Sequence, residues 1–272
     1  ARKEVEGPYA MQHTSRIRCR ISRDRGYTWE EPFTLFEKPG SFCRHPIVRL
    51  SNGDWIIGIW YSLLDGHSVF GSDYSVVMIS SDEGRTWTEH PIPGAKGKVH
   101  MSIVELGSGR LVAFFRSRAA DRIYMSRSDD YGRTWTEPKR TVLPNNNASI
   151  RATLLQSGHL AIIFNHFSAN DDPAVTLWPY ERYPVTVAIS EDEGETWPYM
   201  RHVETGDNYC GELNVKLNRR YEYPFILQTK DGLIHAVYAY GTRQYIKHVC
   251  ITEDWIRGTN RNAWPWTNFP FY

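Results

Sequence analysis

Short apolar runs rich in β-branched and aromatic residues occur in pairs along the chain. Each pair surrounds a Gly-bearing turn, as in HPIVRLSNGDWIIGIWYS, HMSIVELGSGRLVAFFRSR, IRATLLQSGHLAIIFNHF and YPFILQTKDGLIHAVYAY. Because Gly supplies the positive φ that tight turns require, these pairs predict β-hairpins. No stretch has a helical period of useful length. The pattern therefore predicts an all-β protein with hairpin turns at Asn52-Gly53, Ser108-Gly109, Ser157-Gly158 and Asp231-Gly232.

A polar octapeptide, S-x-D-x-G-x-T-W, ends a third apolar run beside each hairpin. The copies begin at Ser22, Ser80, Ser128 and Ser190, and Thr252-Glu-Asp254 opens a decayed fifth copy. They lie about 50–60 residues apart, a period typical of stacked supersecondary units. In each copy we expect the Asp to bond backbone N–H groups of a turn, the Gly to adopt positive φ, and the Trp to pack between sheets. The four box aspartates are then scaffold: Asp24, Asp82, Asp130 and Asp192.

The repeating module reads as hairpin, third strand, octapeptide turn and fourth strand, which is the four-stranded antiparallel blade of a β-propeller. We expect one domain over 1–272. Closed propellers of this kind usually have six blades, so we predict a six-bladed propeller that is incomplete at the N-terminus. A five-bladed ring closed by the C-terminal tail is the alternative. The expected divisions are a partial blade (1–36), complete blades (37–95, 96–143, 144–206), a last hairpin and third strand (207–255), and an aromatic tail without a blade pattern (256–272).

Basic residues recur where first strands begin and second strands end, opposite the octapeptide turns. Cations from separate blades that converge on one axis would form an anion-binding pocket. Arg116 and Arg118 alternate along one strand and should share a face. His45 lies at the same end. The predicted substrate-binding residues are Arg44, Arg116, Arg118, Arg151, Arg243, Lys247, His100 and His166.

Composition narrows the class of partner. The 32 basic and 31 acidic residues nearly balance, which argues against a nucleic-acid or anionic-membrane binder. No apolar run reaches the ~20 residues that span a bilayer. Aromatic residues make up 14% of the chain, as expected of a sugar-binding surface. We expect no metal and no cofactor, since Cys19, Cys43, Cys210 and Cys250 lack metal-ligand spacing. Their disulfide state stays open.

The compartment also stays open. The chain opens on charged residues and shows no signal peptide. A glycan substrate would favour a secreted or cell-surface location. Asn147-Ala-Ser149 is an N-glycosylation sequon, which matters only in a secreted protein.

The octapeptide resembles the Asp box, or BNR repeat, of the sialidase (neuraminidase) superfamily. The resemblance covers about residues 14–255. It is most similar to bacterial and fungal BNR-repeat neuraminidases, through stretches such as RHPIVRLSNGDW, GRLVAFFRSR, SRSDDYGRTWTEP and LPNNNASI. It implies a β-propeller and a retaining glycosidase. In that family a Tyr nucleophile is polarised by a Glu, an Asp is the acid/base, and three Arg bind the substrate carboxylate.

Carried over residue by residue, the resemblance assigns the nucleophile to Tyr223, which opens a first strand eight residues before Asp231. Tyr221 is the near competitor. Arg44, in CRHP, matches an Arg-Ile-Pro motif. Arg44, Arg116 and Arg243 are the implied carboxylate clamp, and Asp65 the implied acid/base, with Asp73 and Asp121 as competitors.

One departure from the family concerns activation of the nucleophile. Where the family has Leu-Tyr-Glu after the hairpin, this chain has VYAY over 237–240, so the expected Glu is absent. Glu222 or Glu212 would have to substitute.

The sequence is compatible with three functions. The first is a sialidase-like hydrolase that removes a terminal acidic sugar from a glycan. The second is a lyase or glycosidase acting on uronate- or rhamnose-containing glycans through His and Tyr. The third is a propeller that binds glycans without turnover. In all three the partner is a glycan with a carboxylate-bearing sugar, and no oligomeric state is predicted.

Overall fold

The structure, a computed structural model, describes residues 12–63, 71–206 and 219–258, together with the backbone of 266–267. A two-stranded sheet comprises β1 (Ile17–Cys19) and β2 (Phe33–Phe36). Blade 1 comprises β3 (Ser41–Cys43), β4 (Val48–Arg49), β5 (Trp55–Tyr61), β6 (Tyr74–Ser80) and β7 (Thr88–Lys96). Blade 2 comprises β8 (Lys98–Gly107), β9 (Arg110–Ser117), β10 (Arg122–Ser128) and β11 (Lys139–Pro144).

The remaining two blades follow in chain order. Blade 3 comprises β12 (Arg151–Leu154), β13 (Leu160–Asn165), β14 (Val185–Ser190) and β15 (Tyr199–Glu204). Blade 4 comprises β16 (Phe225–Gln228), β17 (Ile234–Tyr240), β18 (Tyr245–Ile251) and β19 (Trp266–Thr267). Neighbouring strands in every sheet are antiparallel. The predicted all-β, propeller-like architecture is confirmed.

Gly-bearing turns and octapeptides occupy their predicted places in the blades. The Gly turns join first to second strands, and the octapeptides join third to fourth strands. Blade 1 has a first strand in two pieces, since β3 and β4 both pair with β5. The break spans residues 44–47, the CRHP region, and so frees Arg44 and His45 from the sheet ladder.

Apolar cores lie between neighbouring sheets. One core joins Ile56 of blade 1 to Phe115 and Trp135 of blade 2. The next contains Phe114 of blade 2 and Trp197 of blade 3, whose rings meet edge to face at 5.7 Å. Box tryptophans thus fasten a blade to the one before it, as large aromatic side chains do. Trp29, in the first box, is 53% exposed among the described residues.

The four boxes share one hydrogen-bond pattern. Asp130 accepts from the Thr134 backbone N–H (2.9 Å) and hydroxyl (2.6 Å), and from the Ser128 hydroxyl (2.8 Å). The Ser128 hydroxyl also accepts from the Gly132 N–H. The Thr28 and Thr86 hydrogen bonds lower the pKa of Asp24 and Asp82 to about 2. Each box carboxylate is therefore committed to its own turn.

The C-terminal region differs from two expectations. No fifth box forms at Thr252; that residue caps a short helix, α1 (Glu253–Arg257), by accepting from the Trp255 N–H (3.1 Å). Ile256 stands where a box has its Gly, so the positive-φ turn is replaced by a helical one. The tail also has a blade element, because β19 pairs with β18 as a fourth strand.

Candidate functional site

Polar side chains from three blades line a small cavity at the end opposite the boxes. Arg116 ends β9 of blade 2, and Ser149 precedes β12 of blade 3. Tyr223 precedes β16 of blade 4. Because these are starts of first strands and ends of second strands, their side chains project at one end of the blades. The full lining is Arg116, Ala148, Ser149, Trp178, Arg182, Glu222, Tyr223 and Arg243.

Arg116 is held in place by neutral acceptors. Its Nε donates to Asn147 Oδ1 (2.6 Å) and its Nη1 to His100 Nε2 (3.3 Å). Burial lowers the pKa of Arg116, as do neighbouring arginines, although an arginine stays charged at neutral pH. Its Nη2 is buried without a hydrogen-bond partner in the described part of the chain. Arg116 therefore has a donor available for a ligand.

The His100 tautomer follows from its neighbours. Since Nε2 accepts from Arg116, Nδ1 carries the proton and donates to Ser149 Oγ (3.1 Å). Arg44 Nε donates to the same oxygen (3.1 Å). Ser149 Oγ thus accepts twice, and its own proton is directed elsewhere. Burial lowers the pKa of His100 well below 6.5, which keeps the ring neutral.

Tyr223 stands among cations. Arg44 and Arg243 lie over its ring, with guanidinium-to-centroid distances of 5.3 and 5.4 Å. Arg44 Nη2 also donates to the Tyr223 carbonyl (3.1 Å). Burial lowers the pKa of Arg44, Arg116 and Arg118, and the nearby Tyr223 side chain partly offsets this. Tyr223 is therefore surrounded by positive charge.

Glu222 is committed to arginines. It accepts from Arg243 through both carboxylate oxygens and from Arg220 Nε (3.2 Å). Burial raises the pKa of Glu222, but the Arg243 hydrogen bond and the charges of Arg243, Arg220 and Arg182 outweigh it, so the net shift is downward. Glu222 is therefore an ionised carboxylate that orients Arg243.

Cations exceed carboxylates around the cavity. Arg118 pairs with Asp73, and Glu222 pairs with Arg243 and Arg220. Burial lowers the pKa of Arg151 and Arg182 to about 10. Arg151 has two buried nitrogens without a hydrogen-bond partner in the described residues. Within those residues, four arginines near the cavity have no carboxylate partner: Arg44, Arg116, Arg151 and Arg182. Buried charge of one sign calls for an anionic ligand.

Left-handed backbone is concentrated in two places. Of ten described non-glycine residues with positive φ, four precede the box glycines: Arg25, Glu83, Tyr131 and Glu193. The other six lie near the cavity end: His100, Ala120, Asn147, Tyr223, Thr242 and Arg243. Such conformations cost about 1–3 kcal/mol each and persist only where the surrounding structure enforces them.

Trp178 covers the cavity. Its ring lies over Arg116 and Arg118, at 4.9 and 5.1 Å from the guanidinium carbons, and is 48% exposed. The enclosed space is only about 20 Å³, room for roughly one water. This space is too small for a sugar ring, so a sugar can bind here only if lining side chains move.

Several predicted binding residues lie outside the lining. Arg118 is turned toward Asp73, with Nε and Nη2 at 3.1 and 2.5 Å from Oδ2. Lys247, on a third strand, pairs with Glu204 (2.6 Å). His166 packs against Phe164 and His202. Arg151 lies over the Phe225 ring beside Arg44.

The competing catalytic candidates that the structure describes are buried. Tyr221 is fully buried and packs against Tyr238 and Tyr240, whereas Tyr223 is 43% exposed. Asp73 and Asp121 are fully buried; Asp121 accepts from Tyr124 and Arg140. Asp65 and Glu212 lie outside the described residues.

The sequon asparagine is not available to a glycan in this fold. Asn147 is fully buried, and its Nδ2 donates to the Leu177 carbonyl (2.6 Å). Among the described residues, no group of three or more His, Cys, Asp or Glu could hold a metal, and no helix is long and apolar enough to cross a membrane.

The sequence and the fold both resemble known proteins. Residues 4–236 match the family described as BNR repeat-like domain. A protein named Sialidase from Bacteroides fragilis (strain YCH46) is 25% identical over 221 residues, which cover 73% of this chain and 37% of that protein. The NanB sialidase of Streptococcus pneumoniae superposes with a TM-score of 0.65 at 18% identity, over 86% of this chain and 35% of that one. The leech intramolecular trans-sialidase, complexed with 2,7-anhydro-Neu5Ac, gives a TM-score of 0.65 at 15% identity, over 88% and 36%.

These similarities establish the class of the protein. The chain belongs to the BNR repeat-like domain family, within the sialidase superfamily. It spans 37% of the length of the curated relative, and the solved structures, at 15–18% identity, share its fold.

Proposed function

We propose that this protein is a sialidase-type glycosidase whose arginine-lined cavity binds the carboxylate of a terminal acidic sugar. The excess of buried guanidinium groups over carboxylates carries this proposal. Arg116 Nη2 has no partner in the described residues, and a planar carboxylate matches guanidinium donors. Arg116 and Arg243 line the cavity, Arg44 borders it through Ser149 and Tyr223, and Arg182 adds a fourth cation.

The proposed reaction is a retaining hydrolysis in two steps. The Tyr223 hydroxyl oxygen attacks the anomeric carbon and gives its proton to solvent water, while an acid protonates the departing glycosidic oxygen and releases the remaining glycan as an alcohol. Water then cleaves the resulting glycosyl–tyrosine bond and regenerates Tyr223. A neutral nucleophile suits a substrate whose anomeric carbon bears a carboxylate, because a second anion there would be repelled.

The other catalytic roles are activation of the nucleophile and acid/base catalysis. Glu222, expected to polarise the nucleophile, is held by two arginines, so we assign it the orientation of Arg243 over Tyr223. Asp65 keeps the acid/base role on sequence grounds. His100 bonds Arg116 and Ser149, and His45 bonds the His100 carbonyl, which counts against a lyase base at either residue.

We also propose that the four blades belong to a six-bladed ring. The matched relatives are longer than this chain, and the two-stranded sheet packs its Phe36 against Trp87 of blade 1 as a neighbouring blade would. An electron cryomicroscopy or crystal structure of the full-length protein would count the blades. A five-bladed ring would reject this part of the proposal.

The first test is release of 4-methylumbelliferone from its α-sialoside. Tyr223→Phe should lower kcat by about 10³-fold or more, because removal of a nucleophile has effects of this size. Tyr245→Phe, at a 66% exposed tyrosine outside the cavity, is the matched control and should keep full activity. A 3-fluorosialosyl fluoride should add one sugar to Tyr223, detectable by peptide mass spectrometry.

The possible results distinguish the hydrolase from the other two functions and test Tyr223 separately. Undiminished turnover in Tyr223→Phe would reject the nucleophile while keeping the activity. If the wild type shows no turnover, hydrolysis is rejected; sialoside binding would then indicate a glycan-binding propeller, and an unsaturated, ultraviolet-absorbing product from polyuronate would indicate a lyase.

A further inference from the structure

A second cavity lies beside the first and has no role in the proposed hydrolysis. It encloses about 340 Å³, within the ~300–1,000 Å³ typical of small-molecule pockets. Lys96, Lys98 and Arg118 line it, together with residues 173–176 of the loop between β13 and β14. We call it the lysine cavity.

The lysine cavity shares a wall with the arginine-lined cavity. Arg118 lines the lysine cavity and lies 5.1 Å from the ring of Trp178, which lines the first. The loop between β13 and β14 contributes to both, and the Leu177 N–H fixes it to the Arg118 carbonyl (3.0 Å). A ligand that extends past Trp178 would therefore pass from one cavity into the other.

Lys98 indicates the charge of the ligand. It is 7% exposed, which makes it the one buried lysine among the described residues. Its Nζ lies 3.8 Å from the centroid of the Tyr124 ring, and no described carboxylate lies within ion-pair distance. Burial lowers the pKa of Lys98, while Asp121 at longer range raises it. An ammonium group has three donors, and a ring face satisfies them poorly compared with an anionic oxygen.

The loop residues in the lining indicate a sugar. Pro173, Ala174 and Val175 present an apolar surface, and Val175 is 38% exposed. A lining that combines apolar surface with a buried cation suits a saccharide ring with C–H faces and an anionic substituent. Arg118 adds little charge here, because Asp73 neutralises it.

We propose that the lysine cavity binds a second anionic sugar residue of the glycan whose terminal acidic sugar occupies the arginine-lined cavity, with Lys98 contacting its acid group. The inference rests on the proposed function, because it places both residues on one substrate. It names the preferred substrate as a glycan with two neighbouring acidic sugars.

Calorimetry with two probes tests this. In a Tyr223→Phe background, which prevents consumption of the ligand, a disialoside should bind about tenfold tighter than sialyllactose, since it adds one charge-assisted contact. Lys98→Met should abolish that advantage and leave sialyllactose affinity unchanged. Lys98→Arg should retain it. Lys139→Met, at an exposed lysine on β11, is the matched control. Equal affinities for the two probes, or an advantage that survives in folded Lys98→Met protein, would overturn the proposal.

A crystal soak in selenate distinguishes failure of the lysine-cavity proposal from failure of the proposed function. Crystals soaked in selenate should show an anomalous peak within hydrogen-bonding distance of Lys98 Nζ, also in an Arg116→Met variant. A peak only among the arginines, or none, would reject the lysine cavity as an anion site. A peak at Lys98 with no sialoside binding in either cavity would keep an anion site there and reject the glycan function.

Discussion

At the scale of single residues, Ser149 connects Arg44 to the hydrogen-bonded pair His100 and Arg116. Its hydroxyl oxygen accepts from Arg44 Nε and from His100 Nδ1. Ser149→Ala would leave the buried His100 donor and the half-buried Arg44 donor without an acceptor, and we expect it to lower the free energy of unfolding by about 1–3 kcal/mol. Urea denaturation measures the change.

Ser108→Ala is the control for that substitution. Ser108 is an exposed residue of a hairpin turn, where removal of a hydroxyl should change stability by less than about 0.5 kcal/mol. If the two variants lose equal stability, His100 has the other tautomer or Arg44 has another acceptor.

Residues at strand ends and in a short hairpin turn could be predicted from the sequence, whereas residues of a long loop could not. Arg116 ends β9, Tyr223 lies two residues before β16, and Arg243 lies in the turn between β17 and β18; all three line one cavity. Arg182 and Trp178 lie in the loop between β13 and β14, where no periodic pattern indicates which side chain turns inward. Their positions depend on contacts with other blades, such as that of Trp178 with Arg116.

At the scale of elements, Gly40 joins the start of blade 1 to the residue that follows β5, and its substitution tests that junction. It has a φ of +83°, donates to the Ser15 carbonyl and accepts from the Ser62 N–H. A Cβ on Gly40 would overlap the Ser62 carbonyl oxygen, which is backbone and cannot rotate away. We expect Gly40→Ala to lower the free energy of unfolding by about 1–2 kcal/mol for the left-handed φ and about 1–3 kcal/mol more for the overlap.

Gly53→Ala isolates the first of these costs. Gly53 has a φ of +92° in a hairpin turn, and its added Cβ would meet nothing within 4 Å. Thermal or urea unfolding should therefore show Gly53→Ala losing only the ~1–2 kcal/mol of the φ cost. Equal losses at the two glycines would mean that the Gly40–Ser62 approach is relieved at no cost.

Hairpins and box turns could be predicted because both depend on local sequence. A Gly at a fixed position decides the turn, as at Gly53 and Gly132. The decayed copy at Thr252 shows the limit of the pattern: without the Gly, the Thr caps a helix. The split first strand of blade 1 could not be predicted, because the break at residues 44–47 depends on contacts such as that between Arg44 and Tyr223, 179 residues apart.

At the scale of the whole molecule, separate blades assemble one positively charged end. Blades 1, 2 and 3 contribute arginines that have no carboxylate partner among the described residues. The Arg44–Ser149 and Arg44–Tyr223 hydrogen bonds join blade 1 to blades 3 and 4. The mutual repulsion of these arginines is a cost that the cores between sheets must exceed. Protonation of a nearby buried histidine would add to that cost, which makes the fold sensitive to mild acid.

His45 and His100 are the buried histidines that make the stability of the fold depend on pH. Burial, and then the charges of Arg151 and Arg44 for His45 and of Arg116 and Arg118 for His100, lower both pKa values well below 6.5. The unfolded chain therefore binds more protons than the folded chain once the pH falls below about 6.5. Stability from these histidines is present above pH 6.5 and is lost as the pH decreases, by up to about 1.4 kcal/mol per pH unit for each histidine.

The prediction is a free energy of unfolding that falls between pH 6.5 and 5, before the box aspartates, with pKa values near 2 at Asp24 and Asp82, begin to contribute. His45→Gln should lower that slope by about one proton, because a Gln side chain does not titrate. The Gln amide can still donate to the His100 carbonyl that His45 Nε2 contacts, so the fold should be kept. Ser108→Ala, at the exposed hairpin-turn serine used as a control above, changes no titrating group and should leave the slope unchanged. Urea denaturation at half-unit pH steps gives the three slopes. A His45→Gln slope equal to that of the wild type would show that His45 is free to protonate in the fold, and the positively charged end would then tolerate more charge than its buried arginines imply.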